Sequence, residues 1–227
     1  KYDLLIYPHA TILAEETAEI LTAYVSGGGK LIMGARTGYK DEYGRCPMRP
    51  MPGFAAGLCG VRVKDHTCLG PGDDPVYAIW EDEQIEAPVF NDILEPEGAR
   101  VLAAFKGNYY DGSPALVAND VGKGTAHYFG AGFSAGTAEA FLRKLGMASP
   151  FAQWLELPEE VELAVRSKNG RHYCFLLNYM PYSTGIDIRR PMKDLLSGET
   201  VSGRTLLEKY GVMVLECAES MEDQENR

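Results

Sequence analysis

Tyr2-Asp3-Leu4-Leu5-Ile6-Tyr7-Pro8, the segment Thr11 to Val25, Gly27-Gly28-Gly29 and Lys30-Leu31-Ile32-Met33-Gly34 form the stretch on which the fold turns. The first run is apolar, of strand length and closed by proline, the pattern of a buried strand in a parallel sheet. Thr11 is the expected N-cap of a helix that carries Glu15 and Glu16 near its positive end. Leu13, Thr17, Ile20, Leu21, Tyr24 and Val25 recur in it at helical spacing. The three glycines end that helix because residues without Cβ take positive φ freely. Lys30 to Gly34 then supplies a second apolar strand. Such a β-α-β unit crosses over right-handed and buries its sheet.

Working outward, Ala35 to Gly60 is rich in Gly, Pro and Arg and reads as a long ordered loop with a short helix around Phe54 to Leu58. Strand patterns follow at Val61 to Leu69, Val76 to Trp80, Arg100 to Phe105, Ala115 to Asn119 and Thr125 to Gly130. The turn Asp120-Val121-Gly122-Lys123-Gly124 separates the last two, and a helix is expected over Thr137 to Leu145. Pro150 to Pro158 is a linker anchored by Trp154. Beyond it, Val161 to Arg166, His172 to Asn178, Thr184 to Ile188, Thr205 to Glu208 and Val212 to Glu216 are short strands without helix signals between them. The expected organisation is an α/β domain over 1–150, a small antiparallel β-sandwich over 158–217, and a flexible acidic tail over 218–227.

The 227 residues carry 22 Lys+Arg against 32 Asp+Glu, a formal charge of −10, with 45% hydrophobic and 24% charged residues. That composition supports a sizeable core and disfavours nucleic acid or anionic lipid as partners. No apolar stretch reaches the roughly 18 residues of a membrane-spanning helix. The chain opens on Lys1-Tyr2-Asp3, with no signal peptide and no initiating Met, so a processed chain or an excised piece of a longer one is expected. Cys46, Cys59, Cys68, Cys174 and Cys217 are odd in number and form no C-x-x-C pair, which points to reduced thiols in the cytoplasm. His9, His66, His127 and His172 are scattered, so no metal site is expected.

The chemical motifs fail on context. Gly27-Gly28-Gly29 ends a helix and Gly122-Lys123-Gly124 turns a hairpin, whereas a dinucleotide fingerprint lies between a first strand and a first helix. Gly57-Leu58-Cys59-Gly60 lacks the preceding strand and small neighbours of a nucleophile elbow, and Ser113 and Ser134 sit in turns. No catalytic residue and no cofactor is expected. The most distinctive stretch is Arg36-Thr37-Gly38-Tyr39-Lys40-Asp41-Glu42, followed by Pro50-Met51-Pro52-Gly53. It combines rigid turns, an aromatic ring and opposite charges at the carboxyl end of a strand, where open sheets place binding surfaces. It reads equally as an interface or the rim of a binding cleft, or as a locally satisfied loop with Arg36 paired to Asp41 or Glu42.

Tyr2-Asp3-Leu4-Leu5-Ile6-Tyr7-Pro8-His9, Tyr24-Val25-Ser26-Gly27-Gly28-Gly29, the Arg36 to Glu42 stretch and Pro52-Gly53 resemble the middle domain of glycoside hydrolase family 42 β-galactosidases. So do Tyr110-Asp111-Gly112-Ser113-Pro114-Ala115 and Gly122-Lys123-Gly124-Thr125-Ala126-His127-Tyr128. Val161-Glu162, Arg166 and Phe175-Leu176-Leu177-Asn178 are similar to that family's small C-terminal β domain. The resemblance implies a flavodoxin-like, class I glutamine amidotransferase-like domain without its nucleophile. It also implies a homotrimer, and galactoside hydrolysis by two glutamates of a barrel absent from these residues. On this reading Arg36, Tyr39, Lys40, Asp41, Pro52 and Gly53 are the expected interface. A stand-alone carbohydrate or small-ligand binding module is the alternative, with Tyr109-Tyr110 or Tyr39 and Tyr43 as stacking platforms. A Cys59 and His127 enzyme is the third reading.

Overall fold

The computed structural model describes residues 2–147 and 149–218. The chain divides into two compact units, Lys1–Gly146 and Met147–Arg227. In the first, β1 (Leu4–Tyr7) pairs in parallel with β2 (Lys30–Gly34) across α1 (Glu15–Ser26), with Leu5 opposite Leu31. The helix begins later than its sequence pattern predicts. Its N-cap is Ala14, and Thr11 instead gives its carbonyl to the Lys40 N–H (2.8 Å), while Leu13 N–H bonds the Lys40 carbonyl (3.1 Å). Residues 11–13 are thus held extended by the later loop and cannot open the helix.

A 3-10 turn (Gly53–Ala55) runs into α2 (Ala56–Cys59). The chain continues as β3 (Val61–Cys68), β4 (Tyr77–Trp80), β5 (Glu83–Glu86), β6 (Phe90–Pro96), β7 (Arg100–Lys106), β8 (Pro114–Val121), β9 (Gly124–Phe129) and α3 (Ala135–Lys144). Seven strands form one sheet in the order β1-β2-β9-β8-β7-β4-β5, and β3 with β6 makes a separate two-stranded ribbon. Ser134 caps α3, its hydroxyl accepting the Thr137 N–H at 3.2 Å while Thr137 Oγ1 accepts the Ser134 N–H.

This architecture corrects the α/β, flavodoxin-like and glutamine amidotransferase-like expectation. Among the described residues fifteen strands stand against three α-helices, and the protein is mostly β. Only β1, β2 and β9 run parallel, and every pair from β9 to β5 is antiparallel. The reason lies in the connections. A parallel neighbour needs a crossover of a dozen residues or more, usually helical, whereas β8 and β9 meet across a tight Gly122-Lys123 turn and β4 and β5 across Glu81-Asp82. The opening β-α-β unit is real, but it does not repeat.

Alternation along the central strands divides the core. Leu31, Met33, Ala126 and Tyr128 pack with Leu21, Val25, Leu58 and Cys59 on one face, and Ile32 and Phe129 pack with Phe105, Leu116, Trp80 and Phe141 on the other.

In the second unit β10 (Leu155–Glu156), β11 (Val161–Lys168), β12 (Arg171–Asn178), β13 (Thr184–Asp194), β14 (Thr200–Leu207) and β15 (Val212–Ala218) form a wholly antiparallel sheet, as expected for a small all-β domain. Its core is Trp154, Cys174, Leu176, Ile186, Ile188, Met192 and Leu215. Of the tail expected over 218–227, Ala218 closes β15 and residues 219–227 lie outside the described ones.

The β8–β9 turn docks on the end of α1 through a close approach that only glycine permits. A Cβ at Gly124 would stand 2.2 Å from the carbonyl oxygens of both Gly29 and Val25. Gly124→Ala is expected to destabilise the chain by about 3 kcal/mol, since rigid backbone rather than a mobile side chain must move. A urea titration measures the loss.

Candidate functional site

The loop after β2 is built around one buried carboxylate. Asp92, in β6, is fully buried; its N–H bonds the Gly130 carbonyl at 2.6 Å. Asp92 Oδ2 accepts the Arg36 N–H at 3.0 Å and the Tyr128 hydroxyl at 2.7 Å, and Oδ1 accepts the Tyr39 hydroxyl at 3.0 Å. These bonds hold Arg36 at φ 68°, a left-handed conformation that costs a non-glycine residue about 1 kcal/mol or more. Thr37 Oγ1 closes the same turn on the Gly34 carbonyl (2.6 Å). Burial raises the Asp92 carboxyl above its usual range, opposed by its three hydrogen bonds, and burial beside Asp92 raises both tyrosine hydroxyls.

Further along, Gly38 (φ 69°) and Gly53 (φ 64°) lie back to back. A Cβ on Gly38 would meet the Pro52 carbonyl oxygen at 2.2 Å, and one on Gly53 would meet that of Gly38 at 2.8 Å. Val63 N–H bonds the Met51 carbonyl at 2.8 Å, tying this end of the loop to β3.

The Arg36 guanidinium projects from this base over the Phe90 ring at 4.5 Å and the Tyr39 ring at 5.4 Å. His66 stacks on Phe90 at 5.3 Å. Arg36, Tyr39, Lys40, Lys64, His66 and Phe90 line an open cleft of about 740 Å³. Its bases are Arg36, Lys40 and Lys64, with Asp65 the acid among its walls.

The structure therefore brings Arg36, Tyr39 and Lys40 into one cleft. The Asp41 carboxylate is instead engaged at 2.9 and 2.8 Å with the N–H groups of Tyr43 and Arg45, and the Arg36 guanidinium lies against Phe90 and Tyr39. Pro52 and Gly53 are buried and shape the loop from beneath. Asp92, Phe90, His66 and Tyr128 were missed by sequence reasoning. The available signal was Asn91-Asp92, two consecutive polar residues inside the apolar strand Phe90 to Leu94.

Cys59 and His127 do not form a catalytic pair. Cys59 belongs to the core with Tyr128, while His127, one residue earlier on β9, faces the opposite side and meets Phe141 edge-on. Burial pushes the Cys59 thiol up to about 12 and lowers the His127 imidazole. As for stacking platforms, Tyr109 and Tyr43 are exposed, whereas Tyr110 is buried and accepts a bond from Asn91, and the Tyr39 hydroxyl is held by Asp92. Among the described residues no group of three or more His, Cys, Asp or Glu is placed to hold a metal, and no helix is long and apolar enough to cross a membrane.

The family model described as the β-galactosidase trimerisation domain matches residues 1–150, and that of the β-galactosidase C-terminal domain matches 160–216. β-Galactosidase Pbg of Clostridium perfringens is 27% identical over 224 residues, covering 95% of this chain and 32% of the relative. β-Galactosidase BglY of Alicyclobacillus acidocaldarius is 28% identical over 224 residues, covering 95% and 33%. The crystal structure of β-galactosidase from Bacillus circulans sp. alkalophilus superposes with a TM-score of 0.82 at 27% identity, covering 96% of this chain and 33% of that one. The chain spans about a third of the length of the curated relatives it matches.

Replacing Asp92 separates geometry from charge. Asp92→Ala strands the buried Tyr128 hydroxyl and frees the Arg36 turn, an expected loss of about 3 kcal/mol or more in urea unfolding. Because the folded carboxyl keeps its proton to higher pH than the unfolded one, its contribution is complete below about pH 3.9, the unfolded value, and declines as pH rises through the raised folded value. Asp92→Asn should remove that component of the pH dependence while losing less stability than alanine.

Proposed function

The chain belongs to the β-galactosidase trimerisation-domain family, and from that membership we propose that it is the assembly region of a larger, cytoplasmic β-galactosidase. Residues 1–150 would bring three copies together, and the second unit would accompany them as an accessory β domain. Hydrolysis of terminal β-D-galactosyl groups would fall to a separate catalytic barrel. Among the described residues there is no such barrel, only one mixed sheet, a two-stranded ribbon and one antiparallel sheet. The observation that carries this reading is the ordered match of two family models to the two halves of the chain. The free, exposed thiols of Cys46 and Cys68 support the cytoplasmic part of it.

The cleft around Arg36 and Tyr39 supplies a physical basis for association. It presents a cation close to two aromatic rings, and Arg and Tyr are residue types that dominate interface energetics when water is excluded. Light scattering over a dilution series is expected to give a mass near three times 24.9 kDa. Arg36→Ala with Tyr39→Ala should shift dissociation to roughly ten-fold higher concentration or more. A wild-type chain that is monomeric throughout would count against trimerisation by these residues.

A further inference from the structure

We propose that the cleft around Arg36 is a binding site for a small organic phosphate, its anionic group held by Arg36, Lys40 and Lys64 and its organic ring by the aromatic wall. This does not rest on the trimer reading, because the charges and the rings belong to a single copy. The whole chain has 22 Lys+Arg against 32 Asp+Glu, yet the walls of this cleft carry three cations against one acid, Asp65. That acid is already engaged, Oδ1 accepting the His66 N–H at 2.8 Å and Oδ2 the Tyr109 hydroxyl at 3.2 Å. Asp92, beneath the loop, is taken up by its own three donors. Among the described residues none of Arg36, Lys40 and Lys64 is in an ion pair. Lys40 Nζ donates to Cys46 Sγ at 3.1 Å, a weak acceptor. Uncompensated cations gathered in one hollow focus a positive potential there, which draws anions out of solution.

Arg36 is the residue that a turn alone does not explain. Glycine or asparagine would occupy its φ of 68° at lower cost, and strain of this kind persists where a side chain has to be placed. Among the described residues its hydrogen bond runs through the backbone N–H, to Asp92, so the five guanidinium donors are left for a ligand. The rings of Phe90 and Tyr39 hold that guanidinium in position. Tyr39 stands edge-on to His66 at 5.9 Å and to Phe90 at 6.0 Å, so the three rings form one compact wall. A cleft of about 740 Å³ with an aromatic wall and a few placed charges has the size and composition of a small-molecule site. A phosphate monoester suits these donors better than a carboxylate does. It carries about two charges at neutral pH and three terminal oxygens, enough for a bidentate arginine and two lysines together.

The test is a ligand-observed NMR titration of phenyl phosphate, with benzyl alcohol as the neutral comparator and inorganic phosphate as competitor. It is run at the dilute end of the light-scattering series, since a neighbouring copy packed on this cleft would compete for it. Phenyl phosphate is expected to bind with a Kd of about 1 mM or tighter. Inorganic phosphate should displace it only at several-fold higher concentration, and benzyl alcohol should not bind. Raising the salt from about 0.01 M to about 0.3 M should weaken binding several-fold through screening. Arg36→Gln should weaken it about ten-fold or more. Lys64→Gln, on exposed β3 and outside the Asp92 network, should weaken it a few-fold with the urea midpoint unchanged. No binding of phenyl phosphate, binding indifferent to both substitutions, or equal binding of benzyl alcohol overturns the proposal. Inorganic phosphate binding as tightly as phenyl phosphate overturns the role given to the rings. A monomeric chain that binds phenyl phosphate leaves the proposal standing while the trimer reading fails, and a trimer that does not bind it overturns this proposal alone.

Discussion

The carboxylate of Asp92 is the interaction on which the candidate surface depends. Burying an ionisable group away from water costs several kcal/mol, and the cost is tolerable only when donors replace the lost hydration. Asp92 receives three, the Arg36 N–H and the hydroxyls of Tyr39 and Tyr128. Tyr128 belongs to the central sheet, Asp92 to the β3–β6 ribbon, and Arg36 and Tyr39 to the loop between β2 and α2. One side chain thus locks a sheet, a ribbon and a loop together. The Arg36 guanidinium reaches Phe90 because its backbone is held left-handed at this point.

The fold was legible where local pattern and connection length agreed. Lys30 to Gly34 reads as a buried strand from its apolar run, and β1, α1 and β2 follow from the glycines that stop the helix. Extending that start to a repeated α/β fold failed because the evidence against it lay in the connections. The Gly122-Lys123 turn was recognised as a hairpin, and a hairpin dictates an antiparallel neighbour. β5 and β6 escaped notice for different reasons. Glu83–Glu86 has one apolar residue in four, and Phe90–Pro96 carries Asn91 and Asp92 where a strand pattern calls for alternation.

The site was legible by composition but not by partner. Arg36 and Tyr39 stand out in a turn-rich loop, yet their partners Phe90 and Asp92 lie more than fifty residues away, a pairing that no local spacing encodes. Pro52 and Gly53 stood out for the same compositional reason, but their contribution is steric. They let two backbone segments touch, so they shape the surface without being on it.

Charge gives this surface a further significance. A chain of formal charge −10 repels its own copies, and across a few ångströms of excluded water that repulsion is little screened. Self-association therefore favours a face where the local balance opposes the overall one. The cleft does so, with Arg36, Lys40 and Lys64 around aromatic rings. Arg36 is suited to the place because a guanidinium beside the Phe90 and Tyr39 rings sheds water more readily than an ammonium would. The same backbone strain that Asp92 imposes on Arg36 thus gives a strongly acidic chain one locally cationic surface.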